Sequence, residues 1–161
     1  MQSLPPLLRA ARYLLGFKQV DVEKACKLSD RFLISLEGEK RLRTPSGALV
    51  IKAYYESNGV EFLQVAKNHW DGVRWKTPHT GDIFSGKAYR AARGLAALSQ
   101  DELAERAGVG RKSIALLESG NLDSTKPETV EALVTCFREL NIEVTEQTST
   151  YGAGTRWIKP R

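Results

Sequence analysis

The stretch from Leu98 to Gly120, L-S-Q-D-E-L-A-E-R-A-G-V-G-R-K-S-I-A-L-L-E-S-G, decides the fold. Ser99 followed by Glu102 has the spacing of a capping box, so a helix starts there. Leu103 and Ala107 lie four apart, on one helical face. Ala104 is small where two helix axes must approach closely. Gly108 suits a tight inter-helix turn, because glycine adopts a positive φ without steric cost. Gly110 opens a second helix, with Ile114 and Leu117 inward and Arg111, Lys112 and Ser113 at its N-terminal end. The pattern is helix, sharp turn, helix.

These residues closely resemble the Cro/CI-type (XRE) helix-turn-helix family. The carriers are Ser99-Gln100, Leu103-Ala104, Ala107-Gly108-Val109, Ile114 and Glu118-Ser119-Gly120. The resemblance runs back to Arg93 and on to Pro127, a five-helix-like module of roughly sixty residues. It implies that the helix beginning at Arg111 enters the DNA major groove. It implies phosphate contacts for Ser99 and Gln100, and base-edge contacts for Arg111 and Lys112, with Ser113 beside them. Arginine suits that role because its two donors match O6 and N7 of guanine. Ser119 and Lys126 match further phosphate-contacting positions. Positive charge at a helix start opposes the helix dipole, which favours a functional reason for Arg111 and Lys112 over a merely solvated helix end. The family also uses a pair equivalent to Arg93 and Glu118 as an internal clip, so these two are read as structural.

The same module appears twice. Arg9-Ala10-Ala11-Arg12 recurs as Arg90-Ala91-Ala92-Arg93, Gln19 as Gln100, and Leu36-Glu37 as Leu117-Glu118, all 81 apart. The offset then becomes 82: Pro45 with Pro127, Gly72 with Gly154, Trp75 with Trp157. Such a repeat argues for duplication of one domain. The expected fold is mainly α: two tandem lambda-repressor-like helix-turn-helix modules, each followed by a short β-hairpin. Residues 1–76 form the diverged first module, 77–82 a Pro- and Gly-containing linker, and 83–161 the second module.

In the first copy helices are expected from Pro5 to Gly16, Lys18 to Ala25, Ser29 to Glu37 and Thr44 to Ser57, the last with Val50, Ile51, Tyr54 and Tyr55 inward. In the second copy Thr125 and Glu128 suggest another capping box, opening a helix to Leu140. Val60-Glu61-Phe62 and Val73-Arg74-Trp75 alternate around a turn, as do Ile142-Glu143-Val144 and Thr155-Arg156-Trp157. A lone hairpin is marginal in water. Each must therefore pack on its own helices, pair with the other, or pair with a second chain. The hairpins are read as the association surface; the plainer alternative is that Trp75 and Trp157 cap each module's core.

The first copy departs from the family pattern. Glu23 stands where the second has Ala104, Lys27 where it has Gly108, and Asp30-Arg31-Phe32 where it has Arg111-Lys112-Ser113. Asp30 would repel phosphate, though it can accept from a cytosine amine. Phe32 would touch a thymine methyl or a protein partner. Gln19, Arg31, Ser35 and the cluster Lys40, Arg41 and Arg43 are candidate DNA contacts, the cluster standing against the ordinary reading of a solvated loop.

The net charge is +5 and sits entirely in residues 1–81, with 13 Lys/Arg against 8 Asp/Glu; residues 82–161 hold 11 of each. A basic balance suits a nucleic-acid partner. Cys26 and Cys136 lie far apart in expected helices and read as small apolar residues rather than a disulfide. His69 and His79 fall in turn and linker, and no Cys/His spacing fits zinc. No apolar run suits a membrane span and no basic leader precedes one, so a cytoplasmic protein without metal or cofactor is expected. No nucleophile–base pair shows a local signature, so no catalysis is expected. These readings converge on a transcriptional regulator, most simply a repressor, that binds a double-stranded DNA operator. Two modules in one chain would act as a covalent pseudo-dimer with third helices about 34 Å apart. A homodimer through the hairpins would extend this to four modules. The alternative is an anti-activator or antitoxin-like protein whose first module binds a regulatory protein partner.

Overall fold

Leu7, Leu8, Ala11 and Leu14 recur at helical spacing and bury one face of α1 (Leu4–Leu15), which Gly16 ends at φ 73°. The computed structural model describes residues 4–38, 45–66, 70–78, 85–120 and 125–159. The candidate contacts Lys40, Arg41 and Arg43, both histidines and most of the expected linker lie outside these residues. After α1 come α2 (Gln19–Ala25), α3 (Phe32–Gly38), α4 (Ser46–Ser57), β1 (Val60–Leu63) and β2 (Gly72–Trp75). The order then recurs: α5 (Gly86–Ala96), α6 (Gln100–Ala107), α7 (Arg111–Glu118), α8 (Pro127–Glu139), β3 (Ile142–Thr145) and β4 (Gly154–Trp157). Among the described residues the five-helix-like outline is not filled: α8 runs straight into β3 through Leu140 and Asn141.

Several local expectations change. The third helix starts at Phe32, three residues late, because Arg31 takes a left-handed φ of 65° that an α-helix cannot contain. Of the four α4 residues expected inward, Ile51 and Tyr55 are buried and Tyr54 half-buried, but Val50 faces solvent. The second-copy capping box at Thr125 does not form: Pro127 occupies the helix start, Lys126 becomes the N-cap, and Thr125 Oγ1 finds no partner. Pro127 fits there because its missing N–H costs nothing in the first turn.

The two hairpins pair with each other. The sheet order is β1-β2-β4-β3, antiparallel throughout, with Gly72 opposite Arg156 and Arg74 opposite Gly154 at the centre. A Cβ on Gly72 would lie 2.4 Å from Thr155 O, and one on Gly154 2.2 Å from Val73 O, so side chains at these two positions would force the central strands apart. Trp75 N donates to Ala153 O at 3.1 Å, and Trp157 N to Asp71 O at 3.0 Å. The inner edge of each hairpin is therefore used within the chain, and the outer strands β1 and β3 remain as edges. Trp75 and Trp157 are also buried in the core, so the sheet-pairing and core-capping readings hold together.

The helical layer has α1 packed along α5 at its centre. Leu8, Leu14, Leu33, Leu36 and Ile51 are fully buried on one side, and Leu95, Leu103, Ile114, Leu117 and Leu133 on the other. Each such side chain contributes about 1.5–3 kcal/mol relative to exposure.

Candidate nucleic-acid interface

Segment 99–119 is built as its sequence dictates. Ser99 Oγ accepts from Glu102 N at 3.1 Å, and Ser99 N donates to the Glu102 carboxylate at 2.7 Å, so the capping box is complete. The backbone bond from Ser99, reinforced by its side chain, holds the Glu102 carboxyl below the usual carboxylate range. Gly108 ends α6 at φ 66°. A side chain there would be strained even though the space around it is open.

At the start of α7, Gly110 offers no side-chain cap. Ser113 N already donates to Gly110 O at 3.0 Å, which leaves the N–H groups of Arg111 and Lys112 without a helical partner, and the helix dipole adds partial positive charge. Arg111 and Lys112 stand exposed on this turn, and Ser113 is half-buried with its hydroxyl close over Gly110. This is an arrangement suited to an anion. Arg111 is not unattached: its Nε lies 3.1 Å from Asp101 on α6. Both side chains are mostly exposed, and such a pair is worth only about 0–1 kcal/mol, so it holds Arg111 weakly.

At the opposite, C-terminal end of α7 lies a buried clip. Arg93 Nε and Nη2 donate to the two Glu118 oxygens at 2.7 and 2.8 Å, and Nη1 donates to Leu98 O at 3.0 Å. Burial opposes the Arg93 charge, but the bonds and charge of Glu118 outweigh it and raise the pKa further above its ordinary value. Gln100 Nε2 donates to the same carboxylate at 2.9 Å. Gln100, expected at phosphate, thus spends an amide proton on the clip. Ser119 Oγ donates to Leu116 O at 2.9 Å at the end of α7, and Lys126 is exposed at the start of α8.

The corresponding segment of the first half repeats the clip. Arg12 donates to both oxygens of Glu37 at 2.8 and 2.7 Å, and to Phe17 O at 3.1 Å. Gln19 Nε2 reaches Glu37 at 2.9 Å. Above the clip the halves differ. Glu23 is buried, and its carboxylate accepts from Leu33 N, in the first turn of α3, at 2.9 Å. Lys27 holds the left-handed turn that Gly108 holds in the second half. Phe32 is half-buried against α4: a Cβ on Gly47 would come within 2.6 Å of its ring. Arg31 is exposed just before α3, and Ser35 is half-buried within it. Val20 and Ile34 are about half exposed, at positions where the second half has Asp101 and Ala115.

Glu23 and Asp101 were missed as structural partners by the sequence reading. The signal for Glu23 was available, since a carboxylate at a tightly packed position must find a buried donor. Among the described residues no group of His, Cys, Asp and Glu could hold a metal ion, and no helix is long and apolar enough to cross a membrane.

Comparison with known proteins agrees with the second half of this picture. The helix-turn-helix family model matches residues 90–143, about a third of the chain. That span runs from the middle of α5 to the start of β3 and contains the clip, the capped α6 and the whole of α7. The likeness to helix-turn-helix domains of the XRE type thus covers this part of the molecule. No curated protein and no solved structure matches the chain.

Proposed function

We propose that this chain is a sequence-specific DNA-binding regulator of transcription, most simply a repressor that occludes polymerase. The observation that carries the reading is the start of α7: backbone donors without a side-chain cap, flanked by exposed Arg111 and Lys112, inside the matched helix-turn-helix region. Arg111 and Lys112 read base edges. Ser99, Ser113, Ser119 and Lys126 contact the backbone, with the remaining atoms of the Gln100 amide. The first half, residues 1–76, is a diverged module of the same kind, joined through 77–82 to residues 83–161. Its Gln19, Arg31, Ser35, Lys40, Arg41 and Arg43 add phosphate contacts. A homodimer through the hairpins would have to use β1 or β3.

One observation favours a different task for the first half. Glu23 already occupies the start of α3, and Val20 and Ile34 present apolar surface where the second half is polar or small. A phosphate would meet a carboxylate there. On this second reading the first half binds a regulatory protein while the second binds DNA.

Footprinting on the DNA upstream of the coding sequence tests both. Protection by the intact chain is expected, with Arg111→Ala losing about 1–3 kcal/mol of affinity and relaxing base preference. Unchanged affinity in that variant would remove α7 as the reading helix. Binding should also weaken steeply with salt as counterions are released; a complex indifferent to salt would leave a protein partner as the better reading.

A further inference from the structure

Positions 13 and 94 occupy equivalent places in the two halves, 81 residues apart, and hold a very unequal pair, Tyr13 and Gly94. They face one another across the α1–α5 crossing. Arg9 Nε donates to Gly94 O at 2.5 Å, and its counterpart Arg90 Nε donates to Tyr13 O at 2.5 Å. This reciprocity shows that α1 and α5 meet around a local two-fold axis. Gly94 is buried, and a Cβ on it would lie 2.9 Å from the Tyr13 ring and 3.2 Å from Ala10 Cα. The half-buried Tyr13 ring lies directly over the Gly94 backbone, so a side chain at 94 would have to displace it.

That ring also touches both clips. The guanidinium carbons of Arg12 and Arg93 each lie 4.9 Å from its centroid, within cation–π reach. Each clip anchors the C-terminal end of its helix, α3 through Glu37 and α7 through Glu118. One half-buried side chain at the α1–α5 crossing therefore touches both clips.

The sheet carries a second inequality of the same sign. Gly152 stands where the first half has Trp70, 82 residues earlier. Gly152 N donates to Trp75 O at 3.0 Å, and a Cβ on Gly152 would come within 2.4 Å of Trp75 Cβ and 2.8 Å of Thr77 O. Here too the large residue belongs to the first half, and the glycine that admits close approach belongs to the second.

We propose that Tyr13 and Gly94 form a knob and its socket that direct the first half of this protein to pair with the second, and bar the pairing of like halves from two chains. Two first halves would bring ring against ring where there is room for one. Two second halves would bring glycine against glycine, leaving a void and removing both cation–π contacts. The repeat has thereby become a fixed heterodimer within one chain, able to present two unlike helices in a set orientation without a second copy.

Each forbidden pairing can be recreated inside the full-length protein. Gly94→Tyr puts two knobs in the interface, and Tyr13→Gly puts two sockets there. Thermal unfolding midpoints should fall by several degrees in each, and the double variant Y13G/G94Y should recover most of the loss. If Gly94→Tyr does not fold, Tyr13→Gly and the double exchange still decide the matter. A midpoint unchanged in Tyr13→Gly, or a double variant no more stable than the poorer single one, would overturn the proposal.

Discussion

Segments 19–38 and 100–119 of this protein share a foundation and differ at the tip. In both, an arginine from the preceding helix holds a glutamate through two bonds, and a glutamine donates to the same glutamate at 2.9 Å. Above that level, the first segment closes the start of α3 with its own Glu23, while the second leaves the start of α7 to Gly110 and two exposed cations. A buried ion pair is costly to dismantle in steps, because either partner left alone is an unpaired charge in the interior. The outward turn has no such constraint. The comparison teaches that the two halves share what holds the helices together and differ in what the helix starts present outward.

The strongest test of the shared foundation removes one carboxylate from each half. Glu118→Ala and Glu37→Ala should each destabilise the chain by about 3–5 kcal/mol, read from urea unfolding, since each leaves a buried guanidinium unpaired. A large difference between the two losses would break the parallel. A smaller effect should follow from Glu23→Ala, which installs the residue type of the second half. It leaves Leu33 N without its acceptor and should cost about 1–3 kcal/mol, while hydrogen exchange at the start of α3 accelerates. Unaltered exchange there would mean that the Glu23 cap does not distinguish the tips.

The smallest effect concerns the start of α6, where the second half has Ser99 and Glu102 and the first has Lys18 and Asp21. Ser99→Ala should cost about 1 kcal/mol. The Glu102 carboxyl is depressed in the folded chain, so the stabilisation it provides is complete above its unfolded pKa and lost as pH falls through the folded one. An amide titration by NMR should therefore show the Ser99 resonance moving on the acid side of about pH 4.3. The Lys18 resonance should not follow it, because α2 has no side-chain cap.

Much of this was legible in the sequence, for identifiable reasons. The capping box, the Gly108 turn and the inward Leu103, Ile114 and Leu117 follow from local spacing, and local spacing is what helices obey. The hairpins were visible through alternation, with Val60 opposite Trp75 and Ile142 opposite Trp157 as the shared faces required. Less visible was anything decided by a partner distant in sequence. Nothing near Arg111 announces Asp101, and nothing near Phe32 announces Gly47. The late start of α3 depends on a left-handed Arg31, a conformation that residue type does not forecast. The offset of 81 was in plain view, but the meaning of Tyr13 opposite Gly94 needed the crossing of α1 and α5.

The joining of β2 to β4 in mid-sheet has a consequence for how this chain is made. Synthesis delivers the first hairpin well before the last strand leaves the ribosome, with α5 to α8 still to be translated in between. During that interval β2 has an unsatisfied row of backbone donors and acceptors, in a two-stranded unit too small to be secure by itself. Nascent chains are thus exposed to edge pairing with their neighbours until β4 arrives. Ending translation before β4 should therefore harm solubility more than the lost residues alone would suggest.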